Sequence, residues 1–175
     1  DRLPEFQKSV YVGIKYGQDG TNVAMSVAVK TADKKIFVET IDCQSVRNGS
    51  RWIVEYLKCM APARIVIDGA NGQKLLADEL KRRKIKGIVL PTVKEVIVAN
   101  TSFESGLFTG SICHMGQPSV KQAASNCEKR AIGSNGGFGY RSQKEGVEIA
   151  ILDSIILAHW ACSKSRERRK QKISY

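Results

Sequence analysis

The chain begins with three stretches in which β-branched and aromatic residues cluster between short polar turns. Residues 9–17 and 23–31 flank the pair Asp19-Gly20, a dipeptide typical of a tight hairpin turn. Residues 35–43 follow a polar turn and alternate between the two faces of a strand. The pattern predicts an antiparallel meander of three strands.

The spacing of the apolar positions then changes from that of a strand to that of a helix. Residues 48–60 carry apolar side chains at helical spacing behind Ser50, a candidate N-cap. The apolar runs 63–68 and 87–92 predict buried strands, and the segment 73–84 between them predicts a helix. Because strand–helix–strand units have parallel strands, we expect this part of the sheet to be parallel.

The rest of the chain predicts helices and one glycine-rich loop. We expect a helix over about residues 93–108, a short strand or turn at 111–115 and a helix over 118–132. Residues 133–146 are rich in glycine and predict a loop, and the apolar run 147–165 predicts a long helix. The fold class is therefore α/β, a ribonuclease H-like mixed β-sheet of an antiparallel meander plus parallel strands, flanked by helices.

The 42% hydrophobic content is ordinary for a folded domain, so charge is the feature of the composition that indicates a class of partner. The 175 residues carry a formal net charge of +11, which favours a polyanion, nucleic acid above all. We expect one domain over residues 9–162, a linker remnant at 1–8 and a basic, flexible tail at 163–175. No uncharged apolar run reaches the ~18 residues of a membrane span.

Two aspartates lie in apolar segments, where a carboxylate is unfavourable unless it has a binding or structural role. Asp68 ends the buried strand 63–68, and ligands gather outside the carboxyl ends of parallel strands. A capping or turn role is the alternative for Asp68. Asp153 lies inside an apolar helix, where an unpaired carboxylate is costly to bury. A bound cation removes that cost, and a buried salt bridge to Lys15 is the structural alternative.

A hard divalent cation held by Asp68 and Asp153 needs further oxygen ligands. Mg²⁺ or Mn²⁺ is the expected ion, and two such ions could activate water and stabilise the leaving oxygen of a phosphodiester. The nearby acids that could complete the site are Asp19, Glu39, Asp42, Glu145 and Glu148. Asp19 is the candidate that we select, although Asp-Gly is also a common turn dipeptide.

Four segments, in order, resemble the C-terminal nuclease domain of the large terminase subunit of tailed bacteriophages. They are "YVGIKYGQDGTNVA", "RIVIDGANGQ", "NCEKRAIGSNGGFGYR" and "IAILDSIILAHWA", and the likeness extends from about Ser9 to Cys162. The resemblance implies a ribonuclease H-like fold and an endonuclease that cuts concatemeric viral DNA during genome packaging. It also implies an N-terminal ATPase domain in the same subunit, a small terminase subunit and a portal as partners, and the bacterial cytoplasm as location.

The resemblance also implies roles for particular residues. The second acid of the family matches Asp68 and the third, helix-borne acid matches Asp153. The first acid lies within the first strand of the family, and here that position is Lys15. Either Asp19 replaces the missing acid, or the Lys15 ammonium supplies the positive charge of a missing metal ion.

Duplex DNA is the expected substrate, and several cations are candidates for contacting it. Besides Lys15, these are Lys129, Arg130 and Arg141, in and beside the glycine-rich segment. An ordinary solvated loop is the alternative for this segment. Two other functions stay open: a catalytically weakened module that binds DNA or docks within the packaging motor, and a different ribonuclease H-like nuclease.

Overall fold

Eight strands and four helices follow one another in the part of the chain that the structure describes. This computed structural model describes residues 6–114, 127–132, 137–142 and 149–165. The strands are β1 (Phe6–Tyr16), β2 (Asn22–Thr31), β3 (Ile36–Ser45), β4 (Arg64–Asp68), β5 (Ile88–Val89), β6 (Ile112–His114), β7 (Cys127–Ile132) and β8 (Gly137–Ser142). The helices are α1 (Arg51–Met60), α2 (Gln73–Arg82), α3 (Val93–Thr109) and α4 (Ala150–Ser163).

Six strands form one mixed sheet in the order β5-β4-β1-β2-β3-β6. The β1/β2 and β2/β3 pairs are antiparallel, and the β1/β4, β4/β5 and β3/β6 pairs are parallel. The predicted meander and the predicted parallel unit are both confirmed. The carboxyl ends of β1, β3 and β4 lie along one end of the sheet, and the same strands begin along the opposite end. We call the first of these the carboxyl-end edge; it is a row of strand ends and not an outermost strand.

Helices cover both faces of this sheet, and each face has its own apolar core. On one face, Val12 and Ile14 pack with side chains of α1 and α2 such as Leu57 and Leu80. On the other face, α3 and α4 pack against the sheet and contribute side chains such as Phe103 and Ile155. Among the described helices, none is long and apolar enough to cross a bilayer.

The structure corrects two sequence predictions in the segment before α4. The predicted helix over 118–132 is wrong at Cys127–Ile132, which is strand β7, while residues 118–126 lie outside the described residues. The predicted loop over 133–146 is wrong at Gly137–Ser142, which is strand β8 and pairs antiparallel with β7. Pairing of β7 with β8 overrides the local helical spacing and the high glycine content. The dipeptide Asn135-Gly136, a strong hairpin signal, stands between the two strands in the sequence.

Candidate functional site

The centre of the candidate site is an ion pair at the carboxyl ends of strands β1 and β4. Strands β1 and β4 run parallel, and their register pairs Lys15 with Asp68. The Lys15 Nζ donates a hydrogen bond to Asp68 Oδ2 at 2.7 Å. The two side chains are only 12% and 19% exposed, so water screens this charge-assisted bond much less than it would at the surface.

Strand alternation decides the face to which Lys15 projects. Val12, Ile14 and Tyr16 pack into the core beneath α1 and α2. Because successive side chains of a strand point to opposite faces, Gly13 and Lys15 belong to the face covered by α4. Lys15 is therefore a cation on the α4 side of the sheet, at the carboxyl-end edge.

Gly13 allows α4 to lie directly on β1. A Cβ at this position would come within 2.1 Å of the Ser154 carbonyl oxygen and 2.5 Å of the Ala158 backbone nitrogen. Both are backbone atoms, so any side chain at position 13 would push the helix away from the strand. The absence of a side chain at Gly13 thus brings the first turns of α4 next to the strand that carries Lys15.

The direction of α4 places Asp153 toward the same edge. The Ser154 hydroxyl lies 2.6 Å from that of Ser26, which pairs with Gly13 across β1/β2. Beyond the other end of α4, the Ser165 carbonyl accepts a bond from Lys30 near the end of β2. The helix therefore runs antiparallel to β1, and its first turn, which holds the half-buried Asp153, lies toward the carboxyl-end edge. The positive end of the helix dipole favours carboxylates there.

Asp19 lies at the same edge but is engaged in its own turn. Its Oδ1 accepts hydrogen bonds from the backbone nitrogen of Thr21 at 3.0 Å and from the Thr21 hydroxyl at 2.9 Å. The turn is fastened to the β4–α2 connection, because Asn71 Nδ2 donates to the carbonyls of Gly17 and Gln18. Asp19 is exposed, and its role as a metal ligand stays a prediction.

Two of the other candidate acids face away from the site. Glu39 pairs with Val27 and Asp42 pairs with Met25, and both partners belong to the core beneath α1 and α2. Directly paired residues share a face, so these carboxylates lie on the far side of the sheet from Lys15. The remaining candidates, Glu145 and Glu148, lie outside the described residues.

Glycines in the β4–α2 connection make room for Tyr16. A Cβ on Gly72 would lie 2.4 Å from the Tyr16 ring, and one on Gly69 would lie 2.5 Å from the Tyr16 carbonyl oxygen. Burial raises the pKa of the Tyr16 hydroxyl to about 12, and the Glu79 carboxylate adds to this effect. Tyr16 stays neutral and supports the loop that follows Asp68.

The described carboxylates do not provide the ligands for two metal ions. Within the described ranges, no three Asp, Glu, His or Cys side chains lie where they could together hold a metal ion. The Lys15 ammonium already occupies one oxygen of Asp68. Asp68 and Asp153 stay predicted ligands of a hard divalent ion, which keeps several water ligands where the protein supplies few oxygens.

Besides Lys15, the cations predicted to contact DNA belong to the β7/β8 hairpin. Lys129 pairs with Tyr140 and Glu128 pairs with Arg141, and Arg130 pairs with Gly139. Strand β8 packs near α3, so the hairpin lies on the α3/α4 side of the sheet. The structure describes only the backbone of these residues, and their contact with DNA stays a prediction.

No protein-family profile and no curated protein matches the sequence. Solved structures do match. The large terminase of bacteriophage HK97 superposes with a TM-score of 0.66 at 13% identity over 90% of this chain. The large terminase nuclease of thermophilic phage G20c gives 0.62 at 15% identity over 94% of this chain and 87% of its own length. The nuclease domain of the Thermus phage P74-26 large terminase gives 0.56 at 14% identity, covering 89% of this chain and 81% of the other.

The fold is that of phage large-terminase nuclease domains. The predicted ribonuclease H-like arrangement and the structural side of the resemblance are thereby confirmed. The chain spans 41% of the length of the HK97 large terminase, whereas it matches most of the two separate nuclease domains. Within this terminase-nuclease fold, the feature that needs a chemical explanation is the lysine at position 15.

Proposed function

We propose that the chain is a metal-dependent DNA endonuclease domain of a packaging terminase and cuts concatemeric viral DNA. The observation that carries the proposal is the location of two aspartates in a terminase-nuclease fold. Asp68 ends a parallel strand, and Asp153 lies in the first turn of the helix over that edge. Ligands of open sheets bind outside the carboxyl ends of parallel strands, and both carboxylates are partly exposed there.

In this proposal, Asp68 and Asp153 hold one Mg²⁺ or Mn²⁺ ion, and Asp19 assists them. The bound ion would supply an activated water and stabilise charge on the phosphodiester. Lys15 performs part of the work of a second ion, because its ammonium group contributes positive charge beside Asp68. A fixed cation next to a phosphodiester stabilises the charge that develops on its oxygens during hydrolysis. The two-ion mechanism predicted from the sequence is thus proposed in a one-ion form.

The substrate and the partners follow from the same proposal. Duplex DNA would lie across the carboxyl-end edge, with Lys129, Arg130 and Arg141 of the β7/β8 hairpin as further contacts to phosphate. An ATPase domain of the same subunit, the small terminase subunit and the portal complete the packaging machine. The protein would work in the cytoplasm of the bacterial host.

Plasmid digestion tests the proposal directly. We expect relaxation and linearisation of supercoiled DNA with Mg²⁺ or Mn²⁺ and none with EDTA. Asp68→Ala and Asp153→Ala should each lower the rate by at least about 100-fold, because each removes a ligand of the only ion. Asp78→Ala, which removes an exposed carboxylate of α2, is the matched control and should cut normally. Equal activity of all four proteins would refute the assigned site.

A second function is favoured by the ion pair itself. If Lys15 neutralises Asp68 completely, the domain is a catalytically weakened module that binds DNA or docks within the motor. The same assay separates the two functions: DNA retained in a gel shift, but intact with every metal, supports the weakened module. Metal-dependent cutting that both alanine variants lose supports the nuclease.

A further inference from the structure

Basic residues from two separate segments meet at the edge of the sheet opposite the candidate site. One segment, residues 58–64, runs from the last turn of α1 to the start of β4, and the other, residues 81–87, runs from the last turn of α2 to the residue before β5. The Ile65 backbone nitrogen donates to the Gly87 carbonyl at 2.8 Å, and a Cβ on Gly87 would lie 2.7 Å from the Ala63 carbonyl oxygen. The cations of the two segments, which we call the basic edge, are Lys58, Arg64, Lys81, Arg82, Arg83, Lys84 and Lys86.

Carboxylates lie near one part of the basic edge, because Lys58 and Arg83 line a pocket together with Glu55 and Glu79. All side chains of the basic edge are exposed except Arg64, which is half-buried. Among the described residues, only Arg83 of this group has a carboxylate partner, Glu79 at 3.4 Å. Like charges held close together repel one another, so an arrangement of this kind is stabilised by an external polyanion.

Helix termination alone does not explain these cations. The last carbonyls of α2 are satisfied by the backbone, because Lys84 donates to Lys81 and Ile85 donates to Leu80. This is a Schellman motif, in which the residue at the Lys84 position has a positive φ and is usually glycine. Lys84 has a φ of 60°, so a long charged side chain stands at a position where the backbone favours glycine.

We propose that the basic edge binds the phosphate backbone of duplex DNA, apart from the candidate catalytic edge. A surface that binds another protein usually has apolar or aromatic anchor residues at the centre of the interface. No large hydrophobic side chain is exposed within residues 58–64 or 81–87. A dense set of exposed cations without apolar anchors fits a chain of phosphates, where each contact releases counterions. The inference rests on the proposed DNA substrate but does not require that this DNA is cut.

Binding is measured without cleavage, by fluorescence anisotropy of a labelled 30-base-pair duplex in EDTA over a salt series. The informative variant is Lys84→Gly, because it removes a charge while giving the left-handed position its preferred residue. We expect weaker binding by about eightfold at 0.1 M salt for one lost phosphate contact, and a salt slope shallower by about 0.9. The unfolding temperature should be unchanged or higher.

Lys34→Gly is the matched control. Lys34 also has a left-handed backbone, with a φ of 65°, and lies in the β2–β3 turn. This turn is at the same end of the sheet as the basic edge, but β1 stands between β4 and the strands that the turn connects. The proposal predicts that Lys34→Gly leaves both the affinity and the salt slope unchanged, whereas Lys84→Gly lowers both. Equal losses in the two variants, or no loss in Lys84→Gly, would overturn it.

The outcome is independent of the nuclease assay. If the plasmid stays intact with every metal while Lys84→Gly still weakens duplex binding, the nuclease proposal fails and the basic edge stands. If Asp68→Ala abolishes cutting while Lys84→Gly binds duplex like the unmodified protein, the basic edge fails and the nuclease stands.

Discussion

The two edges of the sheet treat charge in opposite ways. At the carboxyl-end edge, Lys15 and Asp68 are mostly buried and neutralise each other at 2.7 Å. At the basic edge, Lys84 and its neighbours are exposed, and Arg83 alone among them has a described carboxylate partner. The carboxyl-end edge has its counter-charge within the fold, whereas most cations of the basic edge would receive theirs from a bound ligand.

Burial explains this difference. A charge that is removed from water costs several kcal/mol unless a partner lies beside it, so Asp68 needs a cation from the protein or from solution. Exposed lysines keep their hydration and need no partner in the fold. The carboxyl-end edge is therefore the place where one substitution can exchange an internal cation for a metal ion.

Lys15→Asp should produce the largest change and reverses the character of the carboxyl-end edge. Without a divalent ion, two paired carboxylates would face each other, and we expect a loss of about 3–5 kcal/mol in the free energy of unfolding. Mn²⁺ should restore part of it, about 2.7 kcal/mol at 100 times the dissociation constant. Thermal unfolding with a Mn²⁺ series, and with EDTA, measures both effects.

The control for this experiment is Lys15→Met, which keeps the length of the side chain but not the charge. It also leaves Asp68 without its ammonium partner, yet it adds no metal ligand, so Mn²⁺ should restore much less stability. If Mn²⁺ stabilises the unmodified protein as strongly as Lys15→Asp, then Lys15 does not occupy the place of an ion.

The pH dependence of stability should come from the end of α4 that lies away from the candidate site. His159 is buried against Phe103, and its Nδ1 has no hydrogen-bond partner among the described residues. It borders a cavity of about 370 Å³ that Lys30 and Lys34 also line. Burial lowers the pKa of His159 from 6.5 to about 4, so the folded protein keeps the imidazole neutral.

Below pH 6.5 the His159 imidazole is therefore protonated in the unfolded chain but stays neutral in the folded protein. Stability is lost as the pH falls from 6.5 toward 4. From pH 7 to pH 5 we expect a loss of about 2 kcal/mol. Urea unfolding at the two pH values measures it. His159→Gln should remove most of this dependence, whereas an unchanged pH dependence in that variant would assign it to other groups.

Local sequence patterns were sufficient to predict most of the fold. Asp68 after a buried strand and Asp153 in an apolar helix were visible because each breaks an apolar pattern where a carboxylate is costly. The meander and the strand–helix–strand unit follow from local periodicity in the same way. The β7/β8 hairpin is the exception, because the glycine content of this segment predicts a loop while the Asn135-Gly136 pair is typical of a hairpin turn.

Contacts between distant segments were not predictable from local patterns. The sequence shows a lysine in β1 and an aspartate in β4, but only the parallel register places Lys15 opposite Asp68. Similarly, the cations at the end of α2 are those of an ordinary helix C-terminus when the sequence is considered alone. Only the contact of Gly87 with Ala63 places them beside the segment that precedes β4. Register and loop contacts join residues far apart in the sequence, so no window of the chain contains them.

Asp19→Ala should have the smallest effect and tests whether the carboxyl-end edge extends to the β1–β2 turn. The variant loses two hydrogen bonds to Thr21, which should cost about 1 kcal/mol of stability in urea unfolding. If Asp19 also assists the ion, plasmid cutting should fall by about tenfold, well short of the loss in Asp68→Ala. Thr21→Val weakens the same turn but leaves the carboxylate in place, so it should unfold almost as easily and cut normally. Equal cutting by both variants would confine Asp19 to the turn and leave Asp68, Asp153 and Lys15 as the whole proposed site.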